Sequence, residues 1–344
     1  MNVFHPAGSV TSALTHFALY GLAAIVEDET EQSVHLHWTD ESNPKPQLNT
    51  GHAPEAIAAM VHRHATRHAS PESWLAVSAE YASKIVTAFS PRVFKPPTSE
   101  AWHQLQEARH AGLDAVVSSR GELDMRMIGA LGEQAYWPNG KEDSDLGASR
   151  WEMKTRQGIK GEFVGGRLVL LAQAVADRTI DQTLSGLIGE TVNDEAGSNK
   201  PDSRSGTGFT RPGPVDNALA WCALWGISQF PVVHHNGAQS STAGTHVTGK
   251  QKYATFVFLP VPTWPITSSR LRSILASRQL PLAVTAGNIE DPLDVIAADA
   301  ARKWLIKRAI RALMRFSVNV SDNSKAPEIR IRDGSVVALS GSRL

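Results

Sequence analysis

The sequence predicts an α+β protein that is predominantly helical, with short mixed or antiparallel strands and a C-terminal β-hairpin. Apolar residues recur at helical spacing over residues 12–27 and 168–188, which is typical of amphipathic helices packed on a core. Residues 33–38, SVHLHW, alternate apolar and polar side chains as a half-buried strand does. Near the C-terminus, Asp333 and Gly334 stand between two β-rich runs and favour a tight hairpin turn.

The other elements follow from caps and breakers along the chain. Pro54 at a first helical turn predicts a helix to about Ala69, and Thr98 or Ser99 caps a helix that ends near Ser119. Further elements are expected as helices over 74–88, 214–230, 268–278 and 291–316, and as strands over 150–154 and 253–259.

Charge divides the chain into two parts. The 344 residues contain 34 Lys and Arg against 34 Asp and Glu, so the formal net charge is zero. Residues 1–216, however, carry 19 basic and 27 acidic side chains, whereas residues 217–344 carry 15 basic and 7 acidic ones. Residues 190–214 are rich in Gly, Ser, Asp and Pro, a composition typical of a linker. We therefore expect an acidic N-terminal α+β domain over 1–190, a flexible loop or linker over 191–213 and a basic C-terminal α+β region over 214–344.

Composition indicates a cytoplasmic protein. The chain is 42% hydrophobic and 20% charged, in the range of folded proteins. Cys222 is the single cysteine, which excludes an internal disulfide and suits a reducing compartment. We find no apolar run of about 18 residues and no secretory leader pattern, so we expect no membrane partner.

One long stretch of the basic half has no carboxylates. Residues 217–289 contain no Asp or Glu, although about seven would follow from the chain average. A surface of cations without carboxylates suits a polyanion, because no like charge repels the phosphates. The alternative is a buried apolar region that excludes acids. The fixed cations of this stretch are Lys250, Lys252, Arg270, Arg272 and Arg278.

A glycine-rich segment upstream also suits phosphate contact. Residues 154–167 set Lys154, Arg156, Lys160 and Arg167 among four glycines. Glycines let backbone N–H groups approach a phosphate closely, while the cations supply charge.

The helix predicted over 291–316 is a third candidate. Trp304, Arg308, Arg311 and Arg315 fall on one helical stripe, which could follow the backbone of a nucleic-acid strand. An ordinary amphipathic helix with a solvated charged face is an equal alternative.

Asp145, Glu152 and Lys154 form the one pattern that suggests catalysis. In D-x6-E-x-K nucleases two carboxylates hold Mg²⁺, and the lysine stabilises the attacking water or the phosphorane charge. Such common residue types recur by chance, so a solvated strand edge is the favoured interpretation. The phosphate-loop, dinucleotide and nucleophile-elbow motifs are absent from the sequence. We therefore expect no catalysis, no cofactor and no metal, with a Mg²⁺-dependent nuclease as the alternative.

Histidine and cysteine, the other residue types that could bind a metal or react, are expected to have structural roles here. His64 and His68 are four residues apart and share a helix face, which permits a metal. No Glu follows His64 as in zinc hydrolases, so a solvated basic face is favoured. Cys222 lies in an apolar helix and is expected in the core.

The order of elements over residues 1–235 resembles a known family. FHPAGSVTSALTHFALYGLAAIVEDE leads into SVHLHW, and then a basic turn and long helix follow as KTRQGIKGEFVGGRLVLLAQAVAD. A polar loop ends in GFTRPGP and continues into the Trp-rich PVDNALAWCALWGISQFPV. This run resembles the divergent large subunits of type I CRISPR surveillance complexes (Cascade), especially their compact forms.

The resemblance implies a non-catalytic subunit of a crRNA-bound complex. It would recognise a protospacer-adjacent motif in double-stranded target DNA, help to open the duplex, hold the displaced strand and recruit the helicase–nuclease. Its partners would also include the backbone subunits and the subunit that binds the crRNA end. Loop chemistry adds Gln157, Arg204 and Arg211 as candidate contacts. The chain is short for this family, so a separate C-terminal helical bundle is in doubt.

Overall fold

The computed structural model describes most of the chain as helices joined to small antiparallel sheets. The described residues are 2–81, 84–91, 93, 98–132, 161–203, 209–235, 238–246, 254–284, 292–320, 322 and 329–339. The α-helices are α1 Ala13–Thr30, α2 Pro54–Ala69, α3 Ser99–Ser118, α4 Glu122–Leu131, α5 Val169–Ala176, α6 Ile180–Ile188, α7 Asn217–Trp225, α8 Ser268–Leu275, α9 Gln279–Val284 and α10 Pro292–Ile306. A π-helical segment, Gly161–Leu168, precedes α5.

Within the described ranges, the strands form two four-stranded sheets and two hairpins. The strands are β1 Asn2–Phe4, β2 His35–Trp38, β3 Pro46–Thr50, β4 Ser78–Tyr81, β5 Lys84–Thr87, β6 Val232–His235, β7 Ala238–Thr242, β8 Thr245–His246, β9 Phe256–Pro262, β10 Ile266–Thr267, β11 Ile310–Val320 and β12 Ile329–Ala338. The sheet orders are β1-β3-β2-β10 and β12-β11-β9-β8, and β4–β5 and β6–β7 pair separately. All these pairings are antiparallel. The predicted α+β class with a C-terminal strand pair is confirmed.

Helix α1 lies at the centre of the core, packed against α7. Phe17 stacks on Phe209 and Phe230, with ring centroids 3.9 and 4.7 Å apart. Two glycines allow the close approach, because a Cβ on Gly21 would lie 1.8 Å from the carbonyl oxygen of Cys222. A Cβ on Gly226 would similarly lie 2.2 Å from that of Phe17. Residues of both charge halves thus share one core, while the domain boundaries near 190 and 214 stay predictions.

A buried arginine holds the chain that connects α6 to α7. The Arg178 guanidinium donates to both carboxylate oxygens of Glu195, to Asp216 at 2.8 Å and to the carbonyl of Asn193 at 2.6 Å. Asp216 also accepts from the Ala218 N–H at 2.8 Å and thereby caps α7. Arg178, which lies just before α6, therefore holds Asn193 and Glu195 of the predicted linker and Asp216 beyond it.

Three predicted helices differ from the structure. The segment over 74–88 forms a 3₁₀ turn and the β4–β5 hairpin instead of one helix. The segment over 168–188 is broken, because Thr179 caps α6 with the reciprocal hydrogen bonds of a capping box to Gln182. The segment over 291–316 ends as a helix at Ile306 and continues as β11.

The C-terminal pair also turns at a different place from the one predicted. β12 continues through Asp333 and Gly334, where its register against β11 shifts, and it pairs with β11 along both of their lengths. The hairpin is therefore formed by two long strands, β11 and β12, and Asp333-Gly334 is an irregularity within the second.

Candidate nucleic-acid interface

Two chain connections lie side by side at one end of the C-terminal sheet. β9 ends at Pro262, which pairs with Ile310 at the start of β11. The Thr263 N–H then donates to the carbonyl of Ala309 at 3.2 Å. The connection from β9 to β10, which contains Trp264, is therefore next to the connection from α10 to β11.

Trp264 is the exposed aromatic residue of this end, with 67% of its surface accessible. Tryptophan usually buries most of its surface, because its removal from water is strongly favourable. The exposed Trp264 ring offers a flat apolar surface on which a nucleic-acid base can stack.

A second aromatic platform carries a cation. The Arg308 guanidinium lies 3.6 Å from the centre of the Trp304 ring, and it also donates to the Trp304 carbonyl at 3.2 Å. This cation–π contact holds the guanidinium in a fixed position on the ring. Lys307 and Arg311, on either side of Arg308 in the chain, are exposed. We call Trp264, Trp304, Lys307, Arg308 and Arg311 the Trp264 surface.

The predicted helical stripe is therefore corrected. Trp304 lies on α10 and Arg308 follows it, but Arg311 and Arg315 lie on β11. β11 forms because IRALMRFSVNV alternates apolar and polar residues over much of its length and is paired on both sides, by β9 and β12. The cations still reach the surface, since Arg311 and Arg315 are both exposed.

Further arginines lie on the outer face of the same sheet. Arg315 stands over the Phe256 ring at 5.2 Å. From β12, Arg332 donates to the side-chain oxygen of Asn319 at 3.2 Å. Arg211 is 79% exposed and pairs with Asp333 of β12 at 2.6 Å, so this carboxylate partly neutralises its charge.

The cations of the Trp264 surface are not neutralised in this way. In the part of the chain that the structure describes, no carboxylate forms an ion pair with Lys307, Arg308 or Arg311. The nearby Lys303 pairs with Asp299 one helical turn away, at 2.7 Å. The Trp264 surface thus combines exposed aromatic area with uncompensated positive charge.

Arg270 and Arg272 follow on α8. Thr267 caps this helix, and its hydroxyl accepts from the Arg270 N–H at 3.2 Å. The Arg270 side chain is exposed. Arg272 points into a separate cleft, where Arg120 and Arg126 also lie.

The glycine-rich segment contributes one described cation. Arg167 is only 4% exposed in the π-helical segment, so its predicted contact with a phosphate is not supported. The other predicted residues lie outside the described ranges, and their roles stay predictions: Lys154, Arg156, Gln157, Lys160, Arg204, Lys250 and Lys252, together with Asp145 and Glu152 of the nuclease pattern.

The prediction of a solvated histidine face on α2 was wrong for His64 and His68, which are both buried. His68 contacts the His64 carbonyl through Nδ1 and Asp124 through Nε2, each at 2.8 Å. His64 Nδ1 accepts from the Trp221 indole N–H at 3.1 Å. The sequence signal was the apolar character of α2 around these histidines, since Ile57, Val61 and Ala65 recur every four residues and share the buried face with them.

Electrostatics in this cluster favours a structural role. Burial, with the charges of His68 and Arg67, lowers the pKa of His64 well below its usual value. Burial opposes ionisation of Asp124, but the hydrogen bond and charge of His68 outweigh it and lower the pKa of that carboxyl. Among the described residues, no group of three or more His, Cys, Asp and Glu side chains could hold a metal ion. Cys222 is buried in the core as predicted, and burial raises the pKa of its thiol.

Comparison with known proteins gives no family for this chain. No family model matches it, and no curated protein matches its sequence. What the Trp264 surface binds must therefore be inferred from its charge and its aromatic side chains. None of the helices within the described ranges has the length and apolar character needed to cross a membrane.

Proposed function

We propose that this protein binds nucleic acid without catalysing a reaction on it. The Trp264 surface carries this proposal, because it places exposed aromatic area beside cations that no described carboxylate neutralises. Proteins that hold single strands use this combination: bases stack on aromatic or guanidinium planes, and cations contact the phosphates. Such contacts need no particular base sequence.

We further propose that the protein is the DNA-binding large subunit of a type I CRISPR effector complex in the cytoplasm. The resemblance of residues 1–235 to that family supports this role. In these complexes guide pairing supplies most sequence recognition, and protein contacts tip a nearly balanced strand exchange. The Trp264 surface suits the displaced strand, whose bases are unpaired and available for stacking. Recognition of the protospacer-adjacent motif and recruitment of the helicase–nuclease belong to the same proposal.

Substitution of Trp264 tests the stacking contact. We expect Trp264→Ala to weaken binding of a fluorescent single-stranded DNA by about 5- to 150-fold, because stacking on an aromatic contributes about 1–3 kcal/mol per base. Trp264→Phe keeps a ring and should retain most of the affinity. Val192→Ala, which truncates an exposed apolar side chain elsewhere, is the matched control. Equal binding by Trp264→Ala and the wild type would contradict this role of Trp264.

Co-purification tests the place in a complex. Co-expression with candidate backbone subunits and guide RNA should yield an assembly that contains this chain and a discrete small RNA. A chain that purifies alone, without RNA, would rule out the CRISPR role while leaving nucleic-acid binding open to the first experiment.

Incubation of the purified protein with DNA and Mg²⁺ or Mn²⁺ tests the absence of catalysis. We expect no cleavage. Metal-dependent cleavage that disappears in Glu152→Ala would replace this part of the proposal with the nuclease alternative.

A further inference from the structure

A second basic site lies beside α8. A cleft of about 560 Å³ opens between the end of α1, the turn from α3 to α4, and α8. The turn contributes Arg120, α4 contributes Arg126 and α8 contributes Arg272. The hydroxyls of Ser33 and Ser269 line the same cleft. We call the three arginines and the space between them the arginine cleft.

Neutral side chains fix the orientation of Arg272. Its guanidinium donates to the side-chain oxygen of Gln229 and to the Ser269 hydroxyl, each at 3.1 Å. Gln229 is fully buried and donates in turn to Ser228 at 3.0 Å, so this support is rigid. Because these acceptors carry no charge, Arg272 is positioned while its positive charge remains available to an anion.

Two carboxylates, Glu27 and Glu122, also line the cleft, where three arginines outnumber them. Burial and the neighbouring charge of Arg126 lower the pKa of Arg272, and Glu27 and Glu122 offset this only in part. Glu122 lies 3.9 Å from Arg126, at the limit of an ion pair, and most of its side chain is in solvent. An anion between the arginines would relieve their mutual repulsion.

Arg120 occupies a backbone position that suits another residue better. Its φ is 57°, in the left-handed region. Glycine adopts this conformation without steric cost, whereas arginine does not. The side chain is exposed at the mouth of the cleft and forms no ion pair with any described residue. Arg120 therefore adds charge to the cleft at a small cost in backbone energy.

We propose that the arginine cleft binds a phosphate group of a nucleic-acid strand. Tetrahedral phosphate oxygens accept hydrogen bonds from several guanidinium groups at once, and the two hydroxyls supply additional donors. The cleft has the volume of a site for a nucleotide-sized ligand. The phosphate is either the terminal phosphomonoester of a strand or an internal phosphodiester. This inference rests on the proposed function for its source of phosphate, although the cleft itself needs only the anion.

Two variants separate binding from folding. Arg120→Gly removes the charge and relieves the left-handed backbone, so we expect a melting temperature equal to or above that of the wild type. Arg272→Gln keeps a hydrogen-bonding side chain beside Gln229 and Ser269 while it removes the charge. Arg63→Ala is the control, because its exposed guanidinium already pairs with Glu29 and does not line the cleft.

The full-length protein and these variants should be titrated with two single-stranded DNA probes, one with a 5′-phosphate and one with a 5′-hydroxyl. We expect Arg120→Gly and Arg272→Gln each to weaken binding by about tenfold, the equivalent of one charge-assisted hydrogen bond. A loss confined to the phosphorylated probe assigns a terminal phosphate, and an equal loss on both probes assigns an internal phosphodiester. Wild-type affinity of both variants for both probes overturns the inference.

A direct titration with inorganic phosphate at constant ionic strength distinguishes this inference from the proposed function. If the protein binds no DNA but binds phosphate through Arg120 and Arg272, the cleft is confirmed and the proposed function fails. If neither DNA nor phosphate binds, both fail.

Discussion

His16 is a buried histidine whose environment links stability to pH. Its ring lies 4.5 Å from Trp38 and 5.6 Å from Phe316, measured between centroids, and its Nε2 is 2.8 Å from the Val10 carbonyl. Burial lowers the pKa of His16 to about 4, with the hydrogen bond to Val10 opposing the shift. Burial also lowers the pKa of His64. Both side chains are neutral in the folded protein at neutral pH.

Acid should therefore destabilise the protein before its carboxylates titrate. The unfolded state binds protons at a histidine pKa of 6.5, whereas folded His16 does so only near 4. The stability due to neutral His16 is thus present above pH 6.5 and is lost as the pH falls towards 4, by up to about 3 kcal/mol. Urea unfolding between pH 7.5 and 4.5 measures this loss. His16→Gln should flatten the slope, and an unchanged slope in that variant would contradict the assignment.

At the scale of elements, Gly21 allows α1 and α7 to pack closely against each other. Gly21→Ala places a methyl group 1.8 Å from the Cys222 carbonyl oxygen, so the helices must separate. We expect a loss of about 1–3 kcal/mol in the free energy of unfolding, as for other overpacked sites. Gly129→Ala on α4 is the control, because a Cβ there meets nothing within 4 Å. The control should be neutral or stabilising by about 0.5–1 kcal/mol. Equal melting temperatures for the two variants would refute the close packing.

The hydrogen bonds of Arg178 should contribute far more to the free energy of unfolding than the exposed ion pair of Arg211 and Asp333 does. Arg178→Ala leaves the Asp216 carboxylate, 2% exposed, without its cation. Loss of one partner from a buried pair costs about 3–5 kcal/mol. Arg211→Ala breaks a pair whose side chains are 79% and 58% exposed, and it should cost less than about 1 kcal/mol. Chemical unfolding of both variants gives the comparison, and similar losses would show that Arg178 does not hold the connection between α6 and α7.

Local sequence patterns predicted some elements and failed for others for identifiable reasons. α2 runs from Pro54 to Ala69 as predicted, because proline at the first turn and a clear apolar stripe agree. α3 likewise begins after Thr98, whose side chain accepts from Ala101. The segment over 304–316 shows an arginine stripe at helical spacing and also an alternation typical of a strand. The segment forms a strand because it pairs with β9 on one side and β12 on the other. Those partners are distant in the chain, so no local pattern reveals them.

At the scale of the whole molecule, salt should control nucleic-acid binding. Each phosphate contact releases counterions, so the logarithm of the affinity falls linearly with the logarithm of the salt concentration. We expect a steep fall for the wild type, and a slope smaller by about 1.4 for single-stranded DNA after Lys307→Ala and Arg311→Ala together. Arg63→Ala, in the acidic part of the chain, should keep the wild-type slope. A double variant with the slope of the wild type would exclude both residues from the interface.

The sequence by itself determined the α+β class, the separation of charge into an acidic and a basic part, and the burial of Cys222. These properties depend on composition and on short-range periodicity, which are local. The tertiary structure decided which cations reach the surface together. It placed the connection that contains Trp264 beside the connection that contains Arg308, more than forty residues further along the chain, through the pairing of Pro262 with Ile310. It also buried Arg167 and gathered Arg120, Arg126 and Arg272 into one cleft. Contacts of this kind form between residues distant in the chain, so periodicity and caps carry no information about them.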